Sequence, residues 1–313
     1  VRGAAVANRN RSGSARGVWK HRYYYFLLLP ALVYFVMFHY VPMAGVVLAF
    51  KKFTIAKGIF GSAWVGTEHF RRLFESASFH EVLTNTIVIS LYRLVFVFVA
   101  PIVFALLLNE VKKNGFKRSV QTISYLPHFI SWVVLGGIIR ELLSPSRGIV
   151  NYVIQLFGGE PIYFLAEPDY FRAVLIVTDI WQSVGWGSII YLSAIAGISP
   201  DQYESASIDG ASRWAMVTRI TLPSILPTVM ILFILQLGGI MNAGFDQIFN
   251  LYNPSVYKVS DIIDTYVYRT GMVSMEYDYT TAVGLFKNTV GFGLVVLANF
   301  ITSRVRGGEY KLW

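Results

Sequence analysis

This 313-residue sequence predicts an all-α, polytopic membrane protein with six transmembrane helices. Three observations lead there. Hydrophobic residues make up 55% of the chain and charged residues 14%, with a mean hydropathy of +0.52, outside the range of soluble globular domains. Six stretches, near 23–50, 81–109, 120–142, 171–197, 224–243 and 281–303, approach or exceed the ~20 apolar residues a bilayer demands. A polar insert over 199–227 separates the fourth from the fifth and carries its own helix signals.

From the N-terminus, residues 1–22 form a basic tail with little to bury, and Trp19 with Tyr23 to Tyr25 makes an aromatic collar suited to a membrane interface. The first apolar run is too long for a signal peptide and lacks a small-residue cleavage site. Between the first and second spans, Phe50 to His80 is too short for a domain and predicts a small packed cap. Pro30, Pro101 and Pro127 predict kinks within their helices. Further loops over 143–170 and 244–280 complete that outer surface, and residues 304–313 form a second tail.

With the N-terminus placed in the cytoplasm, fifteen Lys and Arg fall on inner segments and eight on outer ones, which favours both termini inside. The net charge of +9 is mostly this topological signal, so no nucleic-acid partner follows from it. The sequence lacks cysteine, and His21, His39, His69, His80 and His128 show no metal-ligand spacing. It contains no G-x-x-x-x-G-K-[ST], G-x-S-x-G or H-E-x-x-H run, so neither a P-loop ATPase nor a hydrolase is written in it.

The insert is the most informative stretch. Ser199 and Gln202 have capping-box spacing, Pro200 falls at a first helical position, and Gly210 can adopt the left-handed turn at a helix end. A second short helix beginning near Ser212 is expected to stop at Pro223, which makes 199–222 a helix-turn-helix peg. Tyr203, Ala206 and Ser207 share one stripe that would enter a partner's groove, with Glu204 and Asp209 beside it.

Glu204-x-Ala206, Asp209-Gly210-Ala211, Ile220-x-Leu222-Pro223 and Pro227 together resemble the coupling-loop signature of permease subunits of bacterial ABC importers that depend on a substrate-binding protein. Ser205 stands where that family usually has Ala. The resemblance implies a six-span permease domain over 23–303 in the inner membrane and a second, similar permease. It also implies an ATPase dimer carrying ATP and Mg on its own subunits, and a periplasmic or cell-surface binding protein. This chain itself would bind no cofactor and catalyse nothing. ATPase contact would fall on Tyr203, Glu204, Ala206, Asp209, Gly210 and Ala211. The run Phe245-Asp246-Gln247-Ile248-Phe249 with Leu251-Tyr252-Asn253-Pro254 is similar to the subgroup serving oligosaccharides, alginate-like acidic ones among them.

Candidates for the substrate path follow from chemistry. Ionisable groups on spans usually face a cavity or a partner, and Arg93 and Lys287 lie deepest. Either would attract an acidic sugar, or would pair structurally with Asp179 or a partner subunit. Arg140 and Arg172 lie near enough to span ends to snorkel. Sugar rings need flat aromatic faces and amide groups, which Trp181, Gln182 and Trp186 supply on the fourth span and Gln236, Asn242, Asp246 and Gln247 at the end of the fifth. An alternative is a proton-coupled secondary transporter titrating Asp179 or Glu110. A membrane-bound enzyme acting on lipid-linked sugar is a further class, for which no paired carboxylates stand at suitable positions.

Overall fold

The computed structural model describes residues 21–304, with side chains through residue 300. The expected tails, 1–22 and 304–313, fall outside the described residues apart from positions 21, 22 and 304. Among the described residues, five helices are long and apolar enough to cross a bilayer, and six if a bent pair is counted as one span.

The first helix, α1 (Arg22–Phe50), is apolar on every side. Every residue from His21 to Ala44 is exposed, and only its last turns, around buried Ala49, pack against the sixth span. A helix of that kind presents its surface to lipid or to another chain. The expected cap follows it: β1 (Lys51–Lys52) pairs antiparallel with β2 (Ala63–Trp64), and Phe50 stacks on Trp64 at 5.8 Å. The cap helix α2 (Glu68–Glu75) is tied to the last span, because Asp278 accepts from the Phe53 amide at 2.9 Å and Arg72 pairs with Glu276 at 2.7 Å.

The second span, α3 (Ala77–Glu110), begins where the Ser76 hydroxyl accepts from the Phe79 amide. The third crossing is broken. Helices α4 (Asn114–Phe129) and α5 (Trp132–Leu142) meet at 107°, with Pro127 buried beside the break. After α6 (Ile149–Leu156), the fourth span α7 (Pro168–Ala196) opens with Pro168 and Asp169 in its first turn, both favourable at a helix N-terminus. Helix α8 (Pro200–Ile208) is the first arm of the peg, and α9 (Arg213–Gly238) is the fifth span. Segment 240–262 contains α10 (Phe245–Leu251) and leads to α11 (Ile263–Tyr268); α12 (Tyr277–Arg304) is the sixth span.

The fifth span corrects one expectation. Pro223 does not end the second arm of the peg: one helix runs from Arg213 through both Pro223 and Pro227. At Pro223 the reason is a wide π turn over Val217–Thr221, closed by the Leu222 amide donating to the Val217 carbonyl, which re-spaces the carbonyls that its ring would otherwise strike. The same device stands before Pro42, at Val36–Tyr40, and before Pro101, at Arg93–Val97.

Segment 240–262 folds back among the spans with much of its backbone outside regular helix, and such backbone at membrane depth must be satisfied by protein groups. Arginines do this. Arg140 donates to the Asn250 carbonyl, so it does not simply snorkel. Nor does Arg172, which donates to the Val259 carbonyl at 3.0 Å and to Asn85 Oδ1 at 2.8 Å. Asn85 in turn donates to the carbonyls of Lys258 and Asp261. Beneath the segment, Ile89, Leu135, Phe171, Leu175, Ile248, Leu251 and Ile262 form a shared core. Arg269 closes the segment's far end on Asp261, a hydrogen bond that raises its pKa and keeps it charged.

Replacing Arg172 with Ala leaves the Val259 carbonyl and the Asn85 amide oxygen without this donor, a loss of about 1–3 kcal/mol. The thermal midpoint of the detergent-purified protein is expected to fall measurably in Arg172→Ala. It should stay unchanged in Arg71→Ala, whose partner Glu75 is as exposed as Arg71 itself.

Candidate functional site

Two sites emerge, a cavity between spans and the exposed peg at one end of the bundle. The cavity is built where α3, α9 and segment 240–244 meet. The last residues of α9 bring Gln236 to its wall; a tight turn over Ile240–Asn242 follows, then two left-handed residues, Ala243 at φ 46° and Gly244 at φ 86°. Gly244 is required twice over: its backbone lies in the region that favours glycine, and a Cβ there would collide with the Arg93 guanidinium. Ser90 on α3 donates to the Ile240 carbonyl and fixes the turn.

Arg93 is the centre of this site. Its Nη2 lies 2.8 Å from Asp179 Oδ2 on α7, an ion pair without in-line hydrogen-bond alignment, and its Nη1 donates to Gln247 Oε1 at 3.1 Å and to the Ala243 carbonyl at 3.4 Å. Gln247 is itself fixed, donating to the Leu175 carbonyl at 2.7 Å and to Thr178 Oγ1 at 2.9 Å. Three elements are thus joined through one guanidinium. The Asp179 side chain is 5% exposed and Arg93 22%, so the carboxylate sits behind and the guanidinium reaches the cavity wall. Removing one member of such a buried pair costs about 3–5 kcal/mol.

The cavity has a volume of about 270 Å³, and Arg93, Gln236 and Asn242 line it with Ser90 and the backbone of Gly239 to Gly244. Of the residues predicted from sequence, these three are brought together and Gln247 stands directly behind Arg93. Others are placed elsewhere. Asp246 is exposed on α10, and Trp181 is exposed on the fourth span with Gln182 half-buried beside it. Trp186 stacks on His128, and Lys287 pairs with Asp264 on α11 at 2.5 Å. Neither Arg93 nor Lys287 is therefore an uncompensated charge. Sequence reasoning missed Ser90, Thr178 and the left-handed pair; the run of polar positions Asn85, Thr86, Ser90 and Arg93 on one span was the available signal.

At the other site, Pro200 starts α8 as expected, but the Ser199 side chain makes no cap and only its carbonyl accepts, from the Gln202 amide at 3.2 Å. The arm closes in a Schellman motif: the Ala211 amide donates to the Ala206 carbonyl at 2.9 Å and the Gly210 amide to the Ser207 carbonyl at 3.1 Å, with Gly210 at φ 73°. Ser212 then caps α9 by accepting from the Ala215 amide. Of the residues expected to meet a partner, Tyr203, Ala206 and Ala211 are half-buried and Ser207 is exposed, and the Tyr203 hydroxyl bonds Thr221 Oγ1 at 2.9 Å, which ties the two arms together. Outward stand Glu204, Asp209, Ile208 at 86% exposure and Trp214 at 76%. Two bulky apolar side chains this open, beside two carboxylates, form a surface suited to a protein partner.

Asp179 and Glu110, the two carboxylates a proton-coupled transporter would use, are both paired, Glu110 with Arg213 at 3.8 Å. That alternative finds no support. Residues 97–307 match the family described as binding-protein-dependent transport system inner membrane component. The chain is 43% identical to the polygalacturonan/rhamnogalacturonan transport system permease protein YteP of Bacillus subtilis (strain 168), over 91% of this chain and 89% of that protein. It is 41% identical to protein LplB of the same organism, over 91% of this chain and 90% of the other. Among solved structures, it superposes on a chain of a bacterial ABC transporter involved in the import of the acidic polysaccharide alginate, with a TM-score of 0.87 and 42% identity over 93% of this chain and 98% of that one. A second, the alginate ABC transporter in complex with an alginate pentasaccharide-bound periplasmic protein, gives a TM-score of 0.88 and 41% identity over 95% and 99%. A bundle of apolar helices with this cavity and this peg, matched over most of its length, thus belongs to the inner-membrane permease components of binding-protein-dependent ABC transport systems.

Proposed function

We propose that this chain is one half of the pathway of an importer for acidic oligosaccharides, alginate-like or polygalacturonan-like, received from an extracytoplasmic binding protein. The observation that carries the reading is the continuous helix α9, whose first turns form the peg and whose last residues form the cavity wall. A helix of 26 residues spans about 39 Å, so one element links a push on the peg to Gln236 at the cavity wall. An ATPase dimer, holding ATP and Mg, would grip Glu204, Asp209, Ile208 and Trp214 from the cytoplasm, with both termini on the same side. Its closure shifts the permease between states because it binds the peg differently in each.

The acidic preference rests on Arg93 and on the names of the relatives. Asp179 balances the guanidinium from behind, and Arg93 lines the cavity, where its N–H groups not directed at Asp179, Gln247 or Ala243 would meet a sugar carboxylate. The remaining polar lining, Gln236, Asn242 and turn carbonyls, suits hydroxyl groups. A volume of about 270 Å³ is below the about 300–1,000 Å³ of ordinary ligand pockets, so an oligosaccharide needs a second, similar permease to complete its path.

Glu204→Lys, or Gly210→Pro at a positive φ that proline does not adopt, is expected to reduce uptake at least tenfold with the protein still inserted and the binding protein still docking. Normal substrate-stimulated ATP hydrolysis in either variant contradicts the docking role. For the cavity, the double variant Arg93→Gln, Asp179→Asn removes the guanidinium without stranding its carboxylate. Half-saturation for uronate oligosaccharide uptake should then rise about tenfold with neutral maltodextrin stimulation unchanged or increased, measured as transport-coupled ATPase activity.

A further inference from the structure

We propose that the stacked pair His128 and Trp186, with Phe129 at its edge, is a second sugar subsite, nearer the peg than the cavity at Arg93. Trp186 lies seven residues beyond Asp179 on α7. Seven residues are nearly two turns, so both side chains leave the same stripe of the helix about 10 Å apart along its axis. Gln182 occupies that stripe between them, half-buried. The line from Arg93 and Asp179 therefore continues down α7 onto an aromatic group.

That group is a stacked pair with a third ring set edge-on against it. The imidazole and indole planes are 5° apart with centroids at 4.8 Å, and the Phe129 ring meets the indole edge-on at 5.3 Å and 80°. Although one indole face carries the imidazole, Trp186 stays 44% exposed, and Phe129 is 70% exposed. A pyranose fits the open side of this group: its C–H face covers the exposed aromatic surface of Trp186 or Phe129, and its hydroxyl groups suit the Gln182 amide on the same stripe.

The site stands at the break of the third crossing. His128 and Phe129 end α4 immediately after Pro127, where the chain turns by 107° into α5. The bend holds both rings against α7 rather than leaving them along a straight helix. This subsite rests on the acidic-oligosaccharide reading and extends it: a chain long enough to reach from Arg93 to Trp186 would engage both, and a short one only the first.

The test uses the whole reconstituted transporter with its partner subunits, carrying wild-type chain, Trp186→Leu or Trp186→Phe, supplied with a uronate disaccharide or a uronate pentasaccharide. Trp186→Leu is expected to lower pentasaccharide uptake about tenfold and leave the disaccharide unaffected, with Trp186→Phe restoring most of the loss. Equal losses on both lengths, no loss on either, or weakened co-purification of the partner permease from Trp186→Leu each overturn the subsite. Those results leave the importer reading intact. A wild type that carries neither probe overturns the acidic-substrate reading, and this proposal with it.

Discussion

Irregular backbone inside a membrane protein survives only where protein groups replace water, and in this chain arginine side chains meet that requirement along one segment. Arg93 donates at residue 243, Arg140 at 250 and Arg172 at 259, each from a different span to a main-chain carbonyl of segment 240–262. The arrangement accounts for cations on apolar helices, where an isolated charge is unfavourable by about 2.5 kcal/mol or more. It also creates the cavity. With the segment pinned, the turn over 240–244 is fixed beside α3, and Arg93, Gln236 and Asn242 line the space left between them.

Charge compensation shapes what such a cavity recognises. Asp179 and Gln247 hold the guanidinium from behind, so its position is set before any ligand arrives, and a preformed donor array loses little freedom on binding. Lys287 was an equal candidate on depth alone, yet it is spent on Asp264 and joins α12 to α11. The peg obeys the opposite rule. Its interior face is closed by Tyr203 and Thr221, and its exterior keeps carboxylates beside open Ile208 and Trp214.

Much of this was legible in the sequence. Six apolar stretches, a proline at the start of the peg, Gly210 at its turn and Ser212 at the second cap are local signals, and local geometry decides them. Interactions at a distance were not legible. Pro223 reads as a stop, and only the π turn ahead of it explains why the helix continues. Arg140 and Arg172 read as snorkelling residues because their partners, the carbonyls of Asn250 and Val259, lie about a hundred residues away in sequence. The aromatic and amide run of the fourth span reads as one site, but a helix turns its members apart: Trp186 faces His128 and the stripe of Asp179, and Trp181 points elsewhere.

Amide hydrogen exchange across residues 240–262 in the lipid-embedded transporter tests the arginine clamp most directly. The clamp predicts that amides of this segment exchange as slowly as those of α7, with and without nucleotide, although much of it lies outside regular helix. Exchange as fast as in an exposed loop, in either state, would show that the three arginines do not hold it.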